Sequence, residues 1–188
     1  MNRPGTSAEV ESSRRPVLGH WPSVLGLAAA TFQIVTGVTT DAVAITVAVA
    51  ASCYLAAAAL GLRWIAWAGV LTGTIVVILS EIAGIAWWAG LAVYAAVLVL
   101  VGFQRRIPVR ALTAQSLAML GFGGVAVVAL LVSPRLGLAL AGVALASHAV
   151  WDYLYWRRNE VVPRSLAEFC LLLDIPFGVA AIVLAFTR

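Results

Sequence analysis

Residues 42–62 read AVAITVAVAASCYLAAAALGL, a run of twenty-one positions without a charged side chain. About 20 such residues, at 1.5 Å of rise each, cross the ~30 Å hydrocarbon core of a bilayer as a helix. The run lacks the strict alternation of a barrel strand, and only helices or closed barrels satisfy their backbone in lipid. It is therefore read as a transmembrane helix. Working outward, charge, Pro and Gly divide the rest of the chain into six further apolar segments near 21–39, 64–84, 86–104, 111–132, 136–156 and 164–186. The predicted fold is all-α, an integral membrane seven-helix bundle. Residues 21–188 form its single transmembrane domain. Residues 1–20, polar and without an apolar stripe, read as a disordered cytoplasmic tail.

Composition agrees with this. The 188 residues are 63% hydrophobic and 11% charged, with a mean hydropathy of +1.02. Soluble domains are about half apolar and about a quarter charged. All twelve basic residues are Arg. Without a Lys there is no Schiff base, so a retinal protein is excluded. The net charge of +4 is read as topology, and no nucleic-acid partner is expected. With the N-terminus inside, ten Arg (3, 14, 15, 63, 105, 106, 110, 157, 158 and 164) lie on the cytoplasmic side and two (135 and 188) outside. That is the positive-inside bias. It places the chain in the inner (plasma) membrane, N-terminus cytoplasmic and C-terminus outside. Arg14-Arg15 precede an apolar run without a small-residue cleavage site, so the first helix is read as uncleaved. Trp64, Trp67, Trp87 and Trp88 fit interfacial belts. Cys53 and Cys170 lack CxxC spacing and read as small buried residues.

Charge inside the spans marks the working site. The sixth segment carries His148 and Asp152, four apart and on one helix face, with Tyr155 one turn further on. From the cytoplasmic boundary near Arg157, Asp152 is ~7 Å deep and His148 ~13 Å. The seventh segment carries Cys170 and Asp174 on one face, with Asp174 ~15 Å deep. Pro176 removes the amide that would bond the Leu172 carbonyl. Charge at such depth costs roughly 2.5–3.5 kcal/mol for Asp and usually faces a bundle interior. Spans six and seven run antiparallel, so His148, Asp152 and Asp174 are expected to converge. Glu168 is shallower and about 120° around the helix from Asp174. Glu81 ends the third span. Gln33 and Gln115 lie within spans one and five and can hydrogen-bond across helices.

The order His148-x3-Asp152, Val161-Val162-Pro163-Arg164-Ser165, Glu168-Phe169-Cys170-x3-Asp174 resembles a motif of small bacterial seven-span membrane proteins. Those proteins often carry a second His where this chain has Tyr155, and the resemblance brings no activity with it. In length, span number and intramembrane carboxylates on separate helices, the chain is similar to the seven-span membrane terpene cyclases. That likeness implies an acid acting on an isoprenoid, with Glu81 and Asp174 in the acid positions.

Three function classes follow. The leading expectation is an intramembrane enzyme acting on a lipid-soluble, plausibly isoprenoid, substrate. Asp174 would donate the proton, His148 and Asp152 would tune or relay it, and Glu81 would be a further catalytic acid. Tyr155, Trp151, Tyr153, Phe169 and Cys170 would line the substrate pocket, the aromatics stabilising positive charge. The alternative is a small proton-coupled transporter or ion pathway, since His and Asp within a membrane serve proton relays equally well. A third reading is an assembly protein in which the charges lock helices together. His148 and two Asp suit a borderline or hard divalent ion. With one His inside any span and no HExxH, no metal or cofactor is assigned. The expected partners are the bilayer and a hydrophobic small molecule.

Overall fold

The computed structural model describes residues 20–187. The expected tail therefore lies, apart from His20, outside the described residues. Seven helices follow in order: α1 (Trp21–Thr36), α2 (Thr40–Leu60), α3 (Ile65–Ile82), α4 (Trp87–Gln104), α5 (Val109–Leu131), α6 (Pro134–Arg158) and α7 (Arg164–Thr187). No strand occurs among the described residues. Helices α2 to α7 are long and apolar enough to cross a membrane. The first span is shorter than expected: α1 has 16 residues, about 24 Å of helix. It stops at Gly37, whose φ of 123° no helix contains.

Helix ends obey local chemistry. The Thr39 side chain caps α2 by accepting the Ala42 amide at 3.1 Å. Gly61 ends α2 in the left-handed conformation, at φ 67°, where a Cβ is disfavoured. Asn159 ends α6 in the same region and donates its amide to the Tyr155 carbonyl at 2.8 Å. The α3–α4 hairpin is as tight as its four-residue spacer demands. Gly84 turns it at φ 70°, and the Ile85 amide reaches the Ser80 carbonyl at 2.8 Å.

Helix α2 is the axis of the bundle and packs against each of α3 to α7. Its apolar stretch is 83% buried, against 28% for α3 and 22% each for α4 and α5. A helix that is apolar on every side belongs in the centre. Alanine dominates α2, which allows five neighbours to approach closely. Gly69 of α3 has no room for a side chain, since a Cβ there would sit 2.8 Å from the Cys53 Cα.

The most extensive helix pair is α6 with α7. Gly142 and Gly178 face each other across it. A Cβ on Gly178 would stand 2.8 Å from the Ala146 amide nitrogen and 2.9 Å from the Gly142 carbonyl. In lipid, association depends on such close backbone contact rather than on apolar burial. This contact sets the register that carries Asp174, one turn before Gly178, to His148, two residues after Ala146. Pro176 does not interrupt α7, which runs through to Thr187.

Candidate functional site

The three expected residues meet. His148, Asp152 and Asp174 are all completely buried. His148 Nδ1 lies 2.9 Å from Asp174 Oδ2 and 3.3 Å from Asp152 Oδ2. One imidazole nitrogen is thus shared by two carboxylates from two helices. The remaining oxygen of Asp152, Oδ1, accepts the Tyr54 hydroxyl at 2.7 Å. Two polar atoms have no partner among the described residues, His148 Nε2 and Asp174 Oδ1. Buried polar atoms are normally satisfied, so each orphan calls for an explanation.

Aromatic rings close the cluster. Phe122 of α5 meets the His148 ring edge-on at 4.8 Å, and Tyr54 meets it at 5.7 Å. A second polar chain lies beside it, on the same stretch of α6. The Trp151 indole donates to the Gln115 carbonyl oxygen at 3.2 Å, and the Gln115 amide donates to the Tyr155 hydroxyl at 2.6 Å. Tyr155 then packs against Tyr54, with ring centroids 5.5 Å apart. Tyr54 therefore touches both polar groups.

Tyr54 is the residue that sequence reasoning missed. It sits 98 positions from Asp152, inside an alanine-rich run. One signal was available: a phenol buried in an apolar helix needs a hydrogen-bond partner, and the chain offers few. Phe122 carried no such signal.

Several expected site residues lie elsewhere. Glu81 is exposed at the C-terminal end of α3 and is not part of the cluster. Tyr153 is also exposed. It stacks on Trp156 and lies under the Arg157 guanidinium, with the cation 5.9 Å from the ring. One residue along a helix is a rotation of about 100°, so a neighbour of Asp152 cannot share its face. Phe169 packs on Trp67 at 5.3 Å rather than on the cluster. Trp151 is half-buried and touches Gln115 and the Tyr155 ring, with centroids 5.3 Å apart, rather than the His–Asp–Asp cluster itself. Cys170 and Cys53 are both buried as thiols, in the apolar group that also holds Tyr54 and Tyr155. Glu168 accepts a hydrogen bond from Ser23 of α1 and stands apart from the cluster. Gln33 binds Thr46 at 3.0 Å, which ties α1 to α2.

The donor set that could hold a metal is His148 Nδ1 with one oxygen from each of Asp152 and Asp174. These three atoms all lie within 4.8 Å of one another. A cleft of about 590 Å³ lies between α4 and α5 against α2. Leu91, Ala95, Met119, Gly123 and Val127 are among its walls, and none of its lining residues carries a charge. Met119 lines this cleft one turn from Gln115 and less than one from Phe122, and none of His148, Asp152 and Asp174 is among its walls.

The fold and site define a helical membrane bundle built around an occluded His–Asp–Asp cluster. Comparison with protein-family models, curated proteins and solved structures finds no match to this chain.

Proposed function

We propose that the protein is a proton-coupled membrane carrier whose proton-binding site is the His148–Asp152–Asp174 cluster. One observation carries this reading: a single imidazole nitrogen stands between two carboxylates at zero solvent exposure. Ionisable groups held at membrane depth mark proton relays and ion paths as a rule. Tyr54, and beyond it the Tyr155–Gln115–Trp151 chain, extends polar groups from the cluster toward the Arg157–Arg158 end of α6, the end that the positive-inside rule assigns to the cytoplasm. The Arg asymmetry supports a plasma-membrane orientation with the N-terminus inside.

A second reading keeps the enzyme acting on a lipid-soluble, isoprenoid-like substrate. The apolar cleft between α4 and α5 supports it, since the cleft suits a hydrocarbon chain. An enzyme of this kind needs its acid at the wall of that cleft. Neither Asp152 nor Asp174 lines it, so the carrier is the better-supported reading.

Infrared difference spectroscopy after a pH jump, on the whole chain in lipid nanodiscs, tests the carrier. Carboxyl and imidazole bands that change with pH, with the carboxyl band lost in Asp174→Asn, support it. A cluster whose bands stay constant throughout the stability range of the protein is a static helix lock, and the carrier reading then fails.

A further inference from the structure

We infer that the cluster is also a divalent-cation site, in which a first-row transition-metal ion takes the place of the protons between His148 Nδ1, Asp152 and Asp174. This rests on the carrier reading and names the class of solute that the protons exchange with.

The first argument is geometric. Metal bonds to imidazole nitrogen and carboxylate oxygen are about 2.0–2.1 Å long, so neighbouring donors on one ion stand about 2.9 Å apart in an octahedral set and about 3.3 Å apart in a tetrahedral one. His148 Nδ1 lies 2.9 Å from one carboxylate oxygen and 3.3 Å from the other. Both edges that meet at the imidazole nitrogen match a coordination shell, and one ligand atom from each of the three residues lies within 4.8 Å of the other two, so the carboxylates have to close on the ion by a short side-chain movement. Asp174 Oδ1, buried and unpartnered, is one more oxygen on the same carboxylate. Three protein residues leave a coordination position open for water. The Tyr54 hydroxyl, 2.7 Å from Asp152 Oδ1, supplies the outer hydrogen bond that holds a ligating carboxylate in place.

The second argument is charge. No Arg belongs to the cluster; Tyr54 and Phe122 face it from α2 and α5, and the buried Cys170 thiol stands one turn before Asp174 on α7, near both carboxylates. A buried cluster with net charge is costly. Two carboxylates and a neutral imidazole carry −2. Two protons bring that to zero, one on Nδ1 of an imidazolium and one on a carboxyl. One divalent cation does the same. Exchange is then electroneutral: one M²⁺ enters, the Nδ1 proton and the carboxyl proton leave, and the remaining ring proton stays on Nε2. Metal binding of this kind releases protons into the medium.

The ligand chemistry selects the ion. Imidazole favours Zn²⁺, Fe²⁺ and Co²⁺, and carboxylate adds Mn²⁺. Mg²⁺ and Ca²⁺ prefer oxygen alone.

The test uses the full-length protein, stripped of metal by chelation, in nanodiscs. Zn²⁺, Mn²⁺ and Mg²⁺ are titrated calorimetrically in buffers of different ionisation enthalpy, and Co²⁺ is added as a spectroscopic probe. The expected result is one saturable site for Zn²⁺ or Mn²⁺, two protons released per cation, and Co²⁺ ligand-field absorption with nitrogen in the shell. Asp174→Asn and His148→Asn should each weaken binding more than about a hundredfold. Size-exclusion profiles and helical circular dichroism show whether these variants fold. Tyr54→Phe, which keeps all three donors, should weaken binding about tenfold, and this holds even if the ligand variants fail to fold. Absence of saturable binding, or binding unchanged in Asp174→Asn and Tyr54→Phe, overturns the inference. Two outcomes separate it from the carrier reading. Cation binding in a cluster whose protons never exchange keeps the metal site and removes the carrier. Proton exchange without cation binding keeps the carrier and removes the metal site.

Discussion

His148 Nδ1 lies 2.9 Å from Asp174 Oδ2, although 26 residues separate them. The contact joins α6 to α7 one turn from the place where Gly142 and Gly178 bring the two backbones together. Helix packing and site chemistry are therefore one feature of this protein, and each can be tested through the other.

Enlarging the glycine contact should loosen both. In Gly178→Val the new side chain meets the Ala146 backbone, for which overpacking costs about 1–3 kcal/mol. The variant should unfold at lower temperature in detergent and lose cluster function in parallel. Gly124→Ala is the control. Nothing stands within 4 Å of a Cβ there, and Ala is favoured over Gly within a helix by roughly 0.5–1 kcal/mol. That variant should be as stable as wild type or more so. Equal melting temperatures for Gly178→Val and wild type would sink the argument.

Tyr54→Phe should hold the fold while disturbing the cluster. It strips the hydrogen bond from a fully buried carboxylate oxygen, an omission that costs about 1–3 kcal/mol. Infrared bands of the buried carboxyls should shift. Identical carboxyl spectra for wild type and variant would show that the phenol is a packing group alone.

Two tyrosines two positions apart should respond oppositely. Tyr153→Ala removes an exposed ring and should leave cluster spectra and cation binding at the wild-type level. Tyr155→Phe leaves the buried Gln115 amide without its acceptor and should destabilise by about 1 kcal/mol or more. Comparative thermal unfolding decides between this ranking and its reverse.

The Arg asymmetry makes a topological prediction. Reporter fusions after Asn159 should score as cytoplasmic, and fusions after Ser133 or Arg188 as external. A cytoplasmic signal at Arg188 would invert the bundle and place the Tyr155–Gln115–Trp151 chain toward the outside.

Asp174→Asn should abolish proton exchange at the cluster while leaving the helical content unchanged, because Asn keeps the shape and loses the titrating oxygen. Proteoliposomes loaded with a pH-sensitive dye and given external Zn²⁺ or Mn²⁺ under a pH gradient supply the reading. The same cation-driven pH change in variant and wild type would refute a role for Asp174 in exchange.

Sequence alone determined the class of fold. Hydrocarbon imposes a helix on every apolar run of sufficient length, and the six long helices begin and end within about four residues of the expected segments. It also nominated His148, Asp152 and Asp174, because charge within a span has few places to go. Spacing on α6 put His148 and Asp152 on one face, and antiparallel neighbours put Asp174 at similar depth. What only the tertiary structure decided was the company these residues keep. Tyr54 approaches from α2 and Phe122 from α5, and no local periodicity relates those positions to the HxxxD pattern. Their arrival depends on α2 lying at the centre of the bundle, which follows from the packing of alanine and glycine faces among several helices. Glu81 and Tyr153 show the converse. Residue type nominated both, yet Tyr153 follows Asp152 by one residue and turns off its face by helix geometry alone, and Glu81 stands exposed at the end of α3, away from the cluster that α6 and α7 bring together.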